Sequence, residues 1–584
     1  MEARPVPLAL VFLLACGALA LALKPGAFLN DELAQAASLD GLARGHIWTS
    51  GDLPGYAPYL KPIPLSGNAT VYGHWAIPAP GQRGPPVGST MLNVLALPLL
   101  TLLLLLNLLL GVQLAVALPA AALCAGAAWA ALRWLGATRK AQALAAALAL
   151  AAFLPLPLPG RAPAGAPGPT LEFAALILVS ILATGVAAAF LFGLLRSWLP
   201  QEGALLATAA ALATPLLFWA ETAKYSSLSV ALAVLAAWCY RDGGRTGPLR
   251  TVLAFALAGL AVWNQAPWGV FLLLALACVA LGALRLGTKP ALARAGAALA
   301  GFSIGVLPEV LTRLLVRQAG IESQYGPGDL AHLLDYVRLQ LQPGGFLASS
   351  VLTDPWGAPY AALRGLVWPS WLEDHYALPF LAIAPLAAAG IAALLLPRLR
   401  AGTPRPVLAL GGLYAVLALC VMGRRFLDIG DGPDLRHGLT FWPFLAVLWA
   451  PLLAGLAARR GLRWAATHAA LAALAVLLLS VALNLGAHAA HQALTPHGYL
   501  YDQTAVLRYG GLLLAALLAG ILLVPGRWRR WQDDALAAAL GFGAAAQAIV
   551  LLVATGAGTF AAWPVGLLLK ALHWLLVGSA PPYA

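Results

Sequence analysis

The feature that most constrains this chain is the recurrence of apolar runs of about 18 residues or more, separated by short basic segments. At ~1.5 Å of rise per residue, such runs match the hydrocarbon thickness of a bilayer. Within lipid only a helix satisfies its own backbone hydrogen bonds, so the expected fold is an all-α polytopic membrane bundle. With 61% of its 584 residues hydrophobic and 10% charged, the chain is too apolar for a soluble domain.

The formal net charge of +13 does not point to nucleic acid, because the basic residues are gathered between spans. They lie at Arg133–Lys140, Arg241–Arg250, Arg285–Arg294, Arg398–Arg405, Arg459–Arg463 and Arg527–Arg530, the positive-inside pattern of cytoplasmic loops. The five cysteines have no CxxC spacing and all fall in apolar runs, so they read as packing residues. Arg4 followed by apolar Val6–Leu23 reads as an uncleaved first span, although Leu13-Leu14-Ala15-Cys16 is similar to a lipoprotein cleavage site.

These signals divide the chain into a first span (1–23), a first external loop (24–90), a transmembrane core (91–314), a second external loop (315–377) and a C-terminal transmembrane region (378–584). The total is about 16 spans in the cell membrane. Met91–Trp134 is too long for one untilted helix, and keeping Arg133–Lys140 inside calls for one span plus an interfacial or re-entrant helix. Of the 22 acids, only Glu2, Glu202, Asp242, Asp533 and Asp534 then fall inside. Acids contribute little to orientation, so this skew independently points to chemistry on the extracytoplasmic side.

Asn30–Gly45 reads as a helix with its own punctuation. Asn30 is a good N-cap, Asp31 and Glu32 complement the helix dipole in the first turn, and Arg44-Gly45 closes the end. Leu39, Leu42, Ala43 and His46 form an apolar stripe suited to the membrane surface, whereas Asp31, Ala34, Gln35 and Ser38 form a face that leaves room beside a carboxylate. Asp31 and Glu32 are either a reactive pair or simply the acidic cap of a juxtamembrane helix.

Asp31-Glu32 through His46 resembles the first external loop of the GT-C superfamily of membrane glycosyltransferases, as in protein O-mannosyltransferases and lipid A aminoarabinose transferases. Gly84-Pro85-Pro86-Val87-Gly88-Ser89 resembles the element that introduces that family's second span. Thr214–Tyr225 resembles its next external turn, and Asp434–Pro443 the lead-in to a late span. The motifs keep their order over roughly residues 1–460. His437 replaces the usual Tyr, and the Trp-Trp-Asp motif of oligosaccharyltransferases is absent.

The resemblance implies a GT-C-like bundle that moves a sugar from a polyprenyl-phosphate donor to a lipid, glycan or protein acceptor, with inversion. It makes Asp31 the catalytic carboxylate, with Glu32 beside it and Glu221 as a second acid of the same cavity, partner or metal ligand. Glu221 read by itself is equally an interfacial partner of Lys224. A donor phosphate needs outer cations: Lys61, His74 and Arg83, Arg338 and Arg364, and Arg424, Arg425 and Arg436 are the candidates, Arg436 first for its forked guanidinium, with His437, Lys224 and Tyr225 as further substrate-binding residues. No cofactor is implied with certainty. A divalent metal has room, but Glu373-Asp374-His375 and His488, His491 and His497 are poor ligand sets. Trp356, Trp368 and Trp371 suit an interfacial belt or a sugar face. The main rivals are a transporter or flippase of polyprenyl-linked lipids, with Glu309 as its buried acid, and a non-catalytic envelope-assembly protein.

Overall fold

A computed structural model describes residues 5–21, 23, 30–50, 83–84, 88–153, 168–220, 222–242, 247–282, 288–319, 355–356, 380–400, 402–422, 442–491, 506–524 and 529–556. The chain is an all-α polytopic membrane protein. Among the described residues the exception is a two-residue antiparallel bridge, β1 (Thr49–Ser50) with β2 (Arg83–Gly84), pairing Thr49 with Gly84 and Ser50 with Arg83.

The N-terminal part contains α1 (Leu8–Ala20), α2 (Asn30–Ala43), α3 (Thr90–Leu110), α4 (Val112–Trp134), α5 (Arg139–Ala151) and α6 (Gly168–Leu195). It continues with α7 (Gln201–Leu212), α8 (Leu216–Ala220), α9 (Ser226–Tyr240), α10 (Pro248–Asn264), α11 (Ala266–Gly282) and α12 (Thr288–Gln318). The C-terminal part contains α13 (Phe380–Ile383), α14 (Ala387–Leu395), α15 (Arg405–Met422), α16 (Trp442–Arg460), α17 (Leu462–His491), α18 (Gly511–Leu523) and α19 (Arg529–Gly556). Among the described residues, five stretches are long and apolar enough to cross a membrane: Thr90–Leu110, Leu114–Trp134, Thr170–Leu195, Leu292–Val316 and Leu462–Leu479. Shorter apolar helices pack among them.

The structure departs from the expected span map where the backbone breaks. Met91–Trp134 forms two full-length helices, and the break falls on Gly111 at φ +85°, not on Pro98 or Pro119, which lie inside α3 and α4. Proline is tolerated within membrane helices, while a left-handed turn needs glycine. The apolar stretch 203–220 is interrupted at 213–215, where Thr214-Pro215 separates α7 from α8. At the start of the C-terminal region the helix is divided between α13 and α14, followed by a 3-10 turn from Pro397 to Arg400. His488 and His491 belong to the last turns of α17, not to a loop.

Helix α6 is the centre of the N-terminal half: Phe173, Ala174, Ala175, Leu176, Ile177 and Ile181 have no exposure at all. Helix α1 packs on α6 through Cys16 and Gly185 and on α4 through Gly17 and Ala127. Side chains pointing away from these contacts are large and apolar, such as Leu108 and Leu109 on α3 and Leu299 on α12. Such a surface is suited to lipid, since apolar atoms gain nothing by leaving hydrocarbon.

Polar contacts distinguish the two ends of the bundle. At one end, Val6 N donates to Gln201 Oε1 (2.8 Å) and Arg196 Nη1 donates to Val6 O (3.2 Å). Gly203 of α7 packs on Ala454 of α16, which brings Arg459 and Arg460 to the same end. There both arginines hold Asp533, at 2.6 and 3.1 Å, so one buried carboxylate clasps α16 to α19. Helix α2 lies at the opposite end.

Candidate functional site

Helix α2 spans Asn30–Ala43 and ends as expected. Gly45 takes φ +80°, its N–H donates to Leu42 O (3.0 Å), and His46 N donates to Gly41 O (2.9 Å). This is the Schellman arrangement, in which a left-handed glycine lets two N–H groups satisfy the last carbonyls. Arg44 returns one turn to pair with Asp40 at 3.1 Å.

The facing of α2 differs from the expectation. Ala34, Gln35 and Ser38, read as the roomy polar face, are buried, as are Ala36, Ala37 and Leu39. Of the proposed surface stripe, Ala43 and His46 are exposed and Leu39 is enclosed. The helix is therefore packed into the protein along most of its length. The reason is hydrogen bonding: its small polar residues find partners on neighbouring elements that periodicity alone does not reveal.

Two of those partnerships stand out. Glu32, fully buried, accepts a hydrogen bond at Oε1 from Ala223 N (2.9 Å), joining α2 to the turn between α8 and α9. Three residues later on the same face, Gln35 pairs with the backbone of Ser89: Oε1 accepts from Ser89 N (2.8 Å) and Nε2 donates to Ser89 O (2.9 Å). Nε2 also donates to Asn93 Oδ1. Further along, Ser38 Oγ and Thr49 Oγ1 are 2.8 Å apart, tying β1 to α2.

Ser89 extends the network. Its Oγ caps α3 by accepting from Leu92 N (3.0 Å) and donates to Asn264 Oδ1 (2.6 Å) at the end of α10. Asn264 Nδ2 in turn donates to Tyr225 O (3.0 Å) and Ser229 Oγ (2.7 Å) at the start of α9. The path then returns along the chain from Tyr225 to Ala223 and so to Glu32. Ser89, Asn93, Ser229 and Asn264 are all buried.

Lys224 sits inside this region at 1% exposure, its Nζ 5.9 Å from the centroid of the Tyr225 ring. Ser180 Oγ on α6 donates to Lys224 O (3.3 Å). Glu172, near the start of α6, is 5% exposed, and its Oε2 has no hydrogen-bond partner among the described residues.

Of the residues singled out in the sequence, the structure thus brings Glu32, Lys224 and Tyr225 together. Asp31 is in the first turn of α2 and Arg83 in β2, but both side chains lie outside the described residues, as do Glu221, Lys61, His74, Arg338, Arg364, Arg424, Arg425, Arg436 and His437. Glu373-Asp374-His375, Trp368, Trp371 and His497 lie outside them too. Trp356 is 87% exposed. Glu309 pairs with Arg313 one turn on, at 2.6 Å. Among the described residues no group of three His, Cys, Asp or Glu side chains is placed to hold a metal. Sequence reasoning missed Asn264 and Glu172. A lone acid or amide within an apolar run was their signal, since such a group must be partnered or functional.

No known protein family and no curated protein matches the chain. Among solved structures, it is similar to the crystal structure of ArnT from Cupriavidus metallidurans bound to undecaprenyl phosphate. The identity is 18% and the TM-score 0.39, over 65% of this chain and 63% of that one. It is also similar to the same protein in the apo state (15% identity, TM-score 0.35, 64% and 62%). The chain therefore spans less than two thirds of the length of the structures it matches, and a likeness this partial assigns no residue and no activity.

Proposed function

We propose that the protein is a membrane glycosyltransferase that moves a sugar from a polyprenyl-phosphate donor to an extracytoplasmic lipid, glycan or protein acceptor, inverting the anomeric centre. The observation that carries this reading is the hydrogen bond from Ala223 N to Glu32. It joins the helix opened by Asp31-Glu32 to the segment Glu221–Tyr225, whose acid Glu221 is the second candidate of the same cavity. Glu32 is occupied with backbone, which supports an anchoring role for it and leaves Asp31 as the base. Lys224 supplies an enclosed cation suited to a phosphate oxygen.

Charge supports the sidedness. Arg196, Arg459 and Arg460 share the end opposite α2, and the positive-inside rule makes such an end cytoplasmic. Glu309 is paired with Arg313 one turn on, which gives that acid a local partner within α12.

In this reading Asp31 takes the proton of the acceptor hydroxyl, whose oxygen bonds to the anomeric carbon. The bond from that carbon to the phosphate oxygen breaks on the opposite face, and the lipid phosphate leaves with the electron pair. A base so positioned contributes about 100- to 10,000-fold. Purified protein assayed against a panel of polyprenyl-phosphate sugars should form an inverted product, and Asp31→Asn should lose that factor without a change in unfolding temperature. Normal turnover by the Asn variant would remove Asp31 from the role. If the protein instead moves labelled polyprenyl phosphate across liposomes and transfers no sugar, it is a transporter.

A further inference from the structure

We infer that Gln35, Ser89 and Asn264 are positioning residues, which set the rotation of α2 about its own axis and thereby aim its first turn. The inference rests on the proposed transfer reaction with Asp31 as base, and it concerns residues that make no contact with the reacting atoms in that scheme.

The hydrogen bonds form a closed ring. From Glu32 it passes to Ala223, along the chain to Tyr225, to Asn264, to Ser89, and back to α2 at Gln35. The two points of attachment on α2 are three residues apart and so lie on one face of the helix. A helix turns by about 100° per residue, so a slip by a single residue would carry both attachments out of reach at once. One attachment would leave the helix free to roll; two on one face, returned to each other through the frame of the bundle, do not.

The chemistry of the Gln35 link is specific. A side-chain amide paired with both the N–H and the C=O of one residue is held in plane and in register, which neither an aliphatic nor a carboxylate side chain reproduces. Ser89 is itself fixed, because its hydroxyl caps α3 and is shared with Asn264. The adjacent Gly88 lies at φ +82°, and a Cβ there would run into Gln35 Oε1. The backbone that receives Gln35 is therefore shaped around it. Asp31 stands one turn before Gln35, so whatever sets Gln35 sets the start of the helix.

The test measures kcat and KM for transfer with the donor active in the panel above, together with the unfolding temperature. Gln35→Ala should lower kcat by about 10- to 100-fold, as small misplacements of a reacting group do, with KM within about twofold of the unsubstituted protein. Gln35→Glu, which has the same shape but cannot donate to Ser89 O or Asn93, should show a loss in the same direction if the alanine variant does not fold. Asn264→Ala, one link removed, should lose less. The deciding measurement is the double variant. A residue that acts through Asp31 should cost nothing further in an Asp31→Asn background, whereas a purely structural role gives the same fractional loss in both backgrounds. Unchanged kcat in Gln35→Ala, or an additive double variant, overturns the inference and leaves the reaction standing. Absence of transfer by the unsubstituted protein, or full transfer by Asp31→Asn, overturns the reaction and the inference with it.

Discussion

Gly88 and Gly45 share a left-handed backbone, at φ +82° and +80°, but their surroundings differ. A Cβ at Gly45 would meet nothing within 4 Å, whereas one at Gly88 would collide with Gln35. Gly45→Ala should therefore cost only the conformational term, about 1–2 kcal/mol. Gly88→Ala should cost that and the displacement of Gln35, leaving buried groups of Ser89 without partners at about 1–3 kcal/mol more. Thermal unfolding in detergent reads the difference, and equal losses would mean that the Gln35 pairing adds little. At this scale the sequence was only partly legible. Gly45 as a helix terminator followed from its place after Arg44. The role of Gln35 did not, because its partners are 54 and 58 residues away in the chain, and periodicity reports which residues share a face, not what that face meets.

Helix α12 packs on α10 through glycine. A Cβ at Gly301 would strike the backbone of Val252, one at Gly305 that of Ala256, and one at Gly259 that of Gly305. Small residues let two membrane helices approach closely enough for backbone-to-backbone contact, which is the main source of attraction between them in lipid. Gly305→Leu should separate the pair and destabilise the protein by about 1–3 kcal/mol. Gly296→Leu, on the same helix but open, should leave the unfolding temperature unchanged. Equal effects of the two would contradict close packing. Helices such as α6 and α15 were legible as apolar runs. The place of the break within Met91–Trp134, at Gly111, was not, because a glycine or proline in an apolar run is compatible with either a continuous or an interrupted helix until its neighbours are known.

For the whole molecule, sidedness is open to a direct test. In a cysteine-free background, Arg44→Cys should react with a membrane-impermeant maleimide in intact cells, and Arg460→Cys only after permeabilisation; both side chains are about half exposed. The reverse pattern would place α2 in the cytoplasm and end the case for extracytoplasmic chemistry. The amino-acid sequence by itself determined that this chain is a helical membrane protein and that its basic residues cluster in short segments between apolar runs. These are properties of composition and one-dimensional order, and the bilayer imposes them on any chain with this pattern. Only the tertiary structure decided that α2 is sunk into the bundle, that Glu32 is spent on the backbone of Ala223, and that Gln35, Ser89 and Asn264 close a ring around it. Each of those is a pairing between distant residues, set by where packed helices bring their polar groups within about 3 Å of each other, a distance that no local pattern encodes.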